Sequence, residues 1–266
     1  MNEVLDEIER VTDFNARLYR KSTLKRRLDF RVHVTGSKDY KGYLRYLKKD
    51  RAEYWRFLEA LTINVTDFFR DKNVFETLKR KILPDILKRI QKKGRKRVRI
   101  LSVGCSAGQE PYSLAILLQE ILGERRETQD GFQIIIHATD LNSSSLKKAS
   151  AAWYSESEMK NVPGKYLRKY FEEGDKGYRV RKDVRKMVKF HQQDFIKGDR
   201  NGLFDLILCR NLFIFFEHEL QKSLCRKIHS SLKKDGILVM GKAETPYDET
   251  LFLPISTQDR IYMKKS

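Results

Sequence analysis

The stretch that begins at Arg97 combines features that could bind a small ligand. It reads RVRILSVGCSAGQEPYSLAILL: a short apolar run, a loop of small residues from Gly104 to Gly108, and an apolar helix with Pro111 in its first turn. Small residues let the backbone turn sharply and let a ligand approach it closely. The start of the helix favours an anionic group, whereas the carboxylate of Glu110 suits a cationic or hydroxyl-rich ligand. The sequence therefore predicts a ligand-binding corner between a buried strand and a helix.

The glycines of this loop have the spacing G-x-x-x-G. The G-x-G-x-x-G pattern of dinucleotide-binding loops and the G-K-[ST] ending of triphosphate-binding loops are both missing. Neither a dinucleotide nor a nucleoside triphosphate is therefore favoured. S-adenosylmethionine fits the loop better, because it carries ribose hydroxyls, an adenine and a sulfonium. A buried turn without a ligand is the alternative interpretation.

Polar residues also follow three later apolar runs. Asp140 ends the second run along the chain, Asp194 follows the third, and Arg210 and Asn211 end the fourth. The carboxyl ends of parallel strands meet at one edge of a sheet, and an acid after the second strand commonly accepts hydrogen bonds from ribose hydroxyls. We therefore expect Asp140 to bind the ribose of the ligand and Asp194 to meet the amino group of adenine.

A second unusual segment, LTINVTDFFRD, precedes the glycine loop. Its polar residues Asn64, Thr66 and Arg70 are interleaved with apolar ones that include Phe68 and Phe69. Asn and Thr compete with helical backbone bonds and prefer caps and turns. The segment therefore predicts a functional turn, in which the polar groups face a ligand and the phenylalanines anchor the backbone. A helix cap with a salt bridge is the alternative.

These polar residues require a fold that brings them to one edge. Residues 1–90 show apolar residues at helical spacing with basic residues opposite, which predicts a small all-α domain. Residues 91–97 form a charged linker. Residues 98–266 alternate apolar runs with helical segments, which is typical of an α/β sheet. A small β-subdomain interrupts the alternation at about residues 164–187, where two short strands flank a tight turn.

The charge of the chain is strongly basic and unevenly distributed. Lys and Arg number 55 against 36 Asp and Glu, a net charge of +19, and residues 1–97 hold 27 of the basic and 14 of the acidic residues. This asymmetry favours an acidic partner, either protein or nucleic acid. A solvated surface rich in Lys, Arg and Glu is the alternative. The charged run at 91–97 has no aromatic residue to stack on bases, which disfavours nucleic acid.

Several other classes of protein are not favoured. No apolar stretch reaches the length of about 18 residues that spans a bilayer, and the acidic, amphipathic start is not typical of a signal peptide. We therefore expect a cytoplasmic protein with no direct membrane insertion. Cys105, Cys209 and Cys225 lack C-x-x-C spacing, so neither a metal site nor a disulfide is expected.

Five stretches occur in a specific order along the chain: LTINVTDFFRD, VGCSAGQEPYSLA, ATDLN, FDLILCRN and KKDGILVMG, the last followed by Glu244. Together they resemble the chemotaxis receptor glutamate methyltransferases, the CheR family. The resemblance implies a Rossmann-like S-adenosylmethionine-dependent methyltransferase domain with an inserted β-subdomain, preceded by a small all-α domain. It also implies that the basic N-terminal helices dock the cytoplasmic helices of chemoreceptors. We expect no nucleic-acid partner, and we expect a monomer.

The resemblance further implies the reaction: transfer of a methyl group to glutamate side chains of chemoreceptors, which yields γ-methyl esters and S-adenosylhomocysteine. Glutamate has a reference pKa of about 4.3, so the nucleophile is ionised at neutral pH and needs no general base. Arg70 is expected to orient the substrate carboxylate through its two-pronged donor geometry. Phe215 stands where the family usually has a tyrosine close to the methyl. A cofactor-binding regulatory or scaffold protein without catalysis is therefore the alternative.

We expect Arg70 and Phe215 beside the reacting groups. The pattern and the resemblance together predict cofactor contacts from Asn64, Thr66, Arg70, Gly104, Glu110, Asp140, Asp194, Phe195, Arg210 and Asn211.

Overall fold

The computed structural model describes residues 1–12, 14–61, 66–124, 132–196 and 202–265. The chain forms two compact units. The first comprises Met1–Ile63 and Phe213–Ser223, and the second comprises Asn64–Leu212 and Leu224–Ser266.

The first unit is helical. Its elements are α1 (Asn2–Thr12), a 3-10 turn (Ala16–Leu18), α2 (Lys21–Val34), α3 (Tyr40–Lys49), α4 (Ala52–Leu61) and a second 3-10 turn (Phe213–Phe215). The apolar residues at helical spacing pack together in its core, and Tyr43, Leu47 and Phe57 are completely buried. Helix α3 begins at Asp39, whose carboxylate accepts a hydrogen bond from the backbone N–H of Gly42 at 2.7 Å.

The second unit contains two sheets. Its strands are β1 (Arg97–Val103), β2 (Gln133–Asp140), β3 (Trp153–Tyr154), β4 (Phe171–Gly174), β5 (Gly177–Val180), β6 (Val188–Gln192), β7 (Phe204–Cys209), β8 (Leu232–Met240), β9 (Phe252–Ser256) and β10 (Ile261–Lys264). Among the described residues, seven strands form the main sheet in the order β6-β2-β1-β7-β8-β10-β9. The first five are parallel, and β10 pairs antiparallel with β8 and β9. The carboxyl ends of β1, β2 and β7 therefore meet at one edge, as predicted.

The remaining helices cover or extend these strands. They are α5 (Lys72–Thr77), a π-helical turn (Leu78–Ile82), α6 (Leu83–Lys92), α7 (Gln109–Glu124), α8 (Ser143–Ala151), α9 (Gly164–Tyr170), α10 (Lys182–Lys186) and α11 (His218–Ser231), with 3-10 turns at Glu156–Met159 and Glu249–Leu251. Asn142 caps α8, because its side chain accepts a hydrogen bond from the N–H of Ser145 at 2.8 Å.

The division between the two units lies at Ile63, not at residues 91–97 where the charge pattern placed a linker. Helices α5 and α6 belong to the second unit. Leu87 on α6 is completely buried and shares one apolar cluster with Val98 and Ile100 of β1. The residues predicted to form a linker belong to the end of α6, the beginning of β1 and the turn between them. Helix α6 belongs to the second unit because its apolar side is buried only when it packs on the sheet.

The inserted β-subdomain is confirmed as a hairpin and gains one strand. Strands β4 and β5 pair antiparallel around a tight turn, and the two-residue strand β3 joins β5 on its other side. So short a strand carries no periodicity that a sequence can reveal. Gly236 lies inside β8, and its neighbour Asp235 takes the positive φ of 61°.

Candidate active site

The loop after β1 turns through three residues with positive φ: Gly104 (68°), Ser106 (49°) and Gly108 (90°). A Cβ atom at Gly108 would lie 2.9 Å from the Cβ of Ala149, so close packing against α8 requires glycine there. At Gly104 the nearest atom, on Leu212, would lie 3.7 Å away, so only the φ angle favours glycine. The backbone at Gly104 is exposed and can face a ligand.

Asp140 joins the end of β2 to this loop. Its Oδ2 accepts a hydrogen bond from the backbone N–H of Ser106 at 2.7 Å, and its Oδ1 accepts one from the N–H of Asn142 at 2.9 Å. The residue is 7% exposed. Burial raises the pKa of its carboxyl, and the N–H donors oppose that rise. Each carboxylate oxygen has further acceptor capacity, which can receive hydroxyl groups of a ligand.

Arg210, directly after β7, is the centre of a buried ion-pair network. Its Nη1 lies 3.0 Å from Oε2 of Glu110, and its Nη2 lies 2.6 Å from Oδ2 of Asp71. Nη2 also donates to the backbone carbonyl of Arg70 at 3.0 Å, and the guanidinium lies 5.6 Å from the centre of the Phe75 ring. The side chain of Arg210 is 2% exposed. Its donors therefore hold three segments of the protein together at the edge of the sheet.

Glu110 has protein partners on both oxygens. Its Oε2 receives Arg210, and its Oε1 accepts a hydrogen bond from the hydroxyl of Ser102 on β1 at 2.8 Å. The first turn of α7 is thereby tied to the ends of β1 and β7. The cofactor contacts predicted for Glu110 and Arg210 remain predictions.

The segment that carries Arg70 is fixed on both sides. Phe69 (φ 50°) and Asp71 (φ 61°) take left-handed conformations that are uncommon for residues other than glycine. The N–H of Phe69 donates to the hydroxyl of Ser113 on α7 at 2.9 Å. Phe68 and Phe69 are buried, which confirms that the phenylalanines anchor this segment. The backbone of half-buried Arg70 is therefore fixed by contacts with α7 and with the residue after β7.

A second network holds Asn211. Its backbone N–H donates to Oε2 of Glu244 at 2.7 Å, and the N–H of Gly241 donates to the same oxygen at 2.8 Å. Glu244 is 3% exposed, and Asn211 has a φ of 59°. Arg210 and Asn211 are adjacent in sequence but enter two different networks, Arg210 through its side chain and Asn211 through its backbone N–H.

The predicted residues after β6 lie in a tight turn. Oδ1 of Asp194 accepts a hydrogen bond from the N–H of Ile196 at 2.7 Å. The half-buried ring of Phe195 has its centre 5.3 Å from Nζ of Lys227 on α11. Both residues follow the strand next to β2, at the carboxyl edge of the sheet.

The structure says less about three other residues that were predicted to belong to the site. Thr66 is half-buried and precedes the anchored phenylalanines. Phe215 belongs to the first unit, where its backbone carbonyl accepts a hydrogen bond from the N–H of Arg20 at 3.0 Å. Asn64 lies outside the described residues. The roles assigned to these three residues remain predictions.

Three buried polar atoms near the glycine loop have no hydrogen-bond partner among the residues that the structure describes. They are the hydroxyls of Ser106 and Thr139 and the amide oxygen of Gln109. Thr139 is held against the loop, because its carbonyl accepts the N–H of Cys105 at 3.0 Å. Buried polar atoms are almost always paired with protein, water or ligand. A ligand rich in hydroxyl and amino groups would satisfy them.

Comparison with known proteins identifies the family and the fold. The family model described as CheR methyltransferase, SAM binding domain, matches residues 64–260, and the CheR methyltransferase all-alpha domain matches residues 1–62. The chain belongs to the CheR methyltransferase family. The boundary between the two CheR domains, between residues 62 and 64, coincides with the end of the first segment of the helical unit at Ile63. The family resemblance and the predicted fold class are both confirmed.

Relatives of similar length carry the same description. The chemotaxis protein methyltransferase of Borreliella burgdorferi is 33% identical over 258 residues, which cover 92% of this chain and 90% of that protein. Chemotaxis protein methyltransferase 1 of Pseudomonas aeruginosa is 36% identical over 194 residues, which cover 70% of this chain and 68% of that protein. Among solved structures, the glycopeptide N-methyltransferase MtfA matches 59% of this chain and 55% of its own, with 13% identity and a TM-score of 0.35.

S-adenosylmethionine is the cofactor of this CheR chain, and the residues at the sheet edge fit it. Asp140 can receive ribose hydroxyls, and the unpaired hydroxyls of Ser106 and Thr139 add donors and acceptors beside it. Within the described ranges, no group of three or more His, Cys, Asp or Glu side chains could hold a metal ion. No helix in the described part of the chain is both long and apolar enough to cross a membrane.

Two residues of the site were not identified as site residues from sequence: Asp71 and Glu244. Asp71 ends the stretch LTINVTDFFRD, and Glu244 follows the stretch KKDGILVMG. Their acidic character within stretches that resemble the family could have marked them as candidates. Their partners, Arg210 and Asn211, are distant in sequence from Asp71 and Glu244, so local spacing cannot indicate the pairing.

Proposed function

We propose that this chain transfers the methyl group of S-adenosylmethionine to glutamate side chains of chemoreceptors, forming γ-methyl esters for sensory adaptation. The observation that carries the proposal is the match to chemotaxis methyltransferases along both units. The Borreliella burgdorferi relative aligns over 92% of this chain, including the N-terminal helical unit as well as the cofactor edge.

The chemistry required of the protein is positioning. S-adenosylmethionine supplies an electrophilic methyl group on its sulfonium. A glutamate carboxylate, with a reference pKa of about 4.3, is already ionised at neutral pH, so no side chain has to remove a proton. The protein must bring an anion and a cation together in line and exclude water from them.

Arg70 is our candidate for orienting the substrate carboxylate. Its backbone is held by the carbonyl bond to Arg210 and by the left-handed residues on either side. An arginine can donate two parallel hydrogen bonds to a carboxylate, which fixes the direction of approach. For Phe215 we keep the prediction made from the sequence: a tyrosine hydroxyl at this position is not required for transfer.

Helix α2 is our candidate for receptor docking. Lys21, Lys25 and Arg26 are exposed on it, whereas Leu24 and Leu28 are buried in the core of the first unit. Lys25 forms an exposed ion pair with Asp29 at 2.7 Å. Such exposed pairs are weak, and the other basic residues keep the face of the helix positive. A basic helix face suits the acidic methylation helices of a receptor, because complementary charge accelerates encounter and selects the partner.

The test is methyl transfer with labelled S-adenosylmethionine and chemoreceptor-containing membranes. We expect base-labile methyl esters on the receptor, and none on receptor whose acceptor glutamates are replaced by alanine. Arg26→Glu should slow labelling at low receptor concentration, whereas Arg80→Glu, an exposed charge reversal on the second unit, should not. Tight cofactor binding without labelled receptor would instead support a binding protein without catalysis.

A further inference from the structure

Glu244 is a buried carboxylate whose known hydrogen bonds go to the backbone at the cofactor edge. It is 3% exposed, and its Oε2 accepts two hydrogen bonds, from the N–H of Asn211 at 2.7 Å and from the N–H of Gly241 at 2.8 Å. Hydrogen bonds from N–H groups to a carboxylate are shorter and stronger than bonds between neutral groups. One oxygen atom therefore ties the turn after β8 to the residue after β7.

The residue that Glu244 holds has an uncommon backbone conformation. Asn211 has a φ of 59°, in the left-handed region that residues other than glycine rarely occupy, although asparagine tolerates it better than most. In this conformation its N–H points to Glu244. Without that acceptor, the N–H loses its hydrogen-bond partner, and the left-handed backbone loses an interaction that stabilises it.

Gly241 shows how little space the arrangement leaves. A Cβ atom there would lie 2.6 Å from Oε2 of Glu244, 2.8 Å from the backbone nitrogen of Asn211 and 2.8 Å from its side-chain nitrogen. The N–H of Glu244 also donates to the carbonyl of Gly241 at 2.9 Å, which closes the turn. The three residues are therefore packed as one assembly, and a glycine is required for steric reasons.

We propose that Glu244 is a positioning residue that holds Asn211 in the left-handed conformation in which its side chain contacts S-adenosylmethionine. The inference rests on the proposed contact between Asn211 and the cofactor. It assigns Glu244 no contact with the cofactor itself, so its effect on affinity passes through Asn211.

A double-mutant cycle tests this route. The measurement is the affinity of the full chain for S-adenosylhomocysteine by titration calorimetry. Asn211→Gly keeps the left-handed backbone but removes the side chain, and Glu244→Ala removes the acceptor; each should weaken binding roughly tenfold. The affinity of the double variant should lie within about twofold of the affinity of Asn211→Gly. Independent losses that multiply to about a hundredfold would overturn the proposal.

Three further variants separate positioning from folding. Glu244→Gln keeps an oxygen that can accept both N–H groups and should recover most of the affinity, even if Glu244→Ala folds poorly. Gly241→Ala should weaken binding as Glu244→Ala does, since it displaces the same assembly. Glu173→Ala, an exposed change on β4, is the control and should have no effect. Unchanged affinity in Asn211→Gly would overturn this inference. It would not bear on the proposed function, which is tested separately by methyl transfer to receptors.

Discussion

Each unit of the molecule contains an arginine paired with a buried or partly buried carboxylate, and the two arginines differ in what they hold. In the first unit, Nε and Nη2 of Arg31 donate to the two oxygens of Glu53 at 2.7 and 2.6 Å, and the hydroxyl of Tyr43 donates to the same carboxylate at 2.8 Å. Glu53 is completely buried. This pair connects regular helices. In the second unit, Arg210 divides its donors between Glu110 and Asp71.

The difference lies in the backbone that each arginine contacts. Arg31 and Glu53 lie within α2 and α4, whose backbones are already satisfied by helical hydrogen bonds. Arg210 binds a backbone carbonyl in a loop where Phe69 and Asp71 are left-handed. Strained backbone persists only where its surroundings enforce it, and it is concentrated at functional sites. The comparison predicts that Arg31 serves the stability of its unit, whereas Arg210 serves the geometry of the cofactor edge.

The largest expected effect on methyl transfer comes from removing the side chain of Arg70, whose backbone carbonyl Arg210 holds. Arg70→Ala should reduce methyl transfer by roughly a hundredfold to a thousandfold, because a positioned donor to the reacting carboxylate is lost. The free energy of unfolding should change little, since Arg70 is half-buried. The measurement is the rate of labelled ester formation at saturating cofactor. Arg80→Ala, an exposed change on the π-helical turn, is the control, and unchanged turnover in Arg70→Ala would remove the assigned role.

Breaking the pair in the first unit should affect stability instead. Glu53→Gln leaves the half-buried Arg31 without a counter-charge, which should cost about 3 kcal/mol of unfolding free energy. Circular dichroism in urea should show an earlier transition. The fluorescence of Trp153 in a Trp55→Phe background reports on the second unit separately, and its transition and the affinity for S-adenosylhomocysteine should be unchanged. Equal losses in both readouts would contradict the separation of roles.

A matched pair of conservative changes tests the comparison directly. Lysine keeps the charge of arginine but cannot donate in a fork. Arg210→Lys cannot reach Glu110, Asp71 and a carbonyl together, and should weaken S-adenosylhomocysteine binding roughly tenfold. Arg31→Lys should lower the unfolding free energy by about 1 kcal/mol and leave that affinity unchanged. If Arg31→Lys weakened binding as much as Arg210→Lys, the two arginines would not differ as described. Both measurements use the full chain.

Much of this architecture could be predicted from sequence, because it depends on local patterns. The apolar runs that became β1, β2 and β7 are buried in parallel sheets and read as continuous apolar segments. Their ends placed Asp140 beside the glycine loop. The burial of Phe68 and Phe69 followed from their alternation with polar residues. Each of these features is encoded within a few neighbouring residues.

The remaining features depend on contacts that local patterns do not encode. The partners of the Arg210 side chain could not be predicted from local patterns, because they lie 100 and 139 residues away in the sequence. Helices α5 and α6 resemble the preceding helices in charge and spacing, and only their packing on β1 assigns them to the second unit. Charge pattern predicts where a surface is, but not which core a helix joins.

The smallest predicted effect concerns Asp140, whose carboxylate is held by backbone N–H groups and not by an arginine. Burial raises its pKa above the ordinary 3.8. The folded protein therefore loses stability as the pH rises from the ordinary value through the raised pKa, because the carboxyl must then ionise while it is buried. Ribose hydroxyls favour the anion, so cofactor binding lowers the pKa. Affinity for S-adenosylhomocysteine should therefore be constant at neutral pH and fall a few-fold as the solution is acidified through the pKa of the free protein.

Titration calorimetry between neutral pH and the acid limit of folding measures this dependence. Asp140→Asn cannot ionise and should bind roughly tenfold more weakly at neutral pH, with an affinity that no longer varies across the window. The same slope in both proteins would show that another group titrates. That result would separate Asp140 from the ribose and would place it with Arg31, as a buried charge that serves the fold.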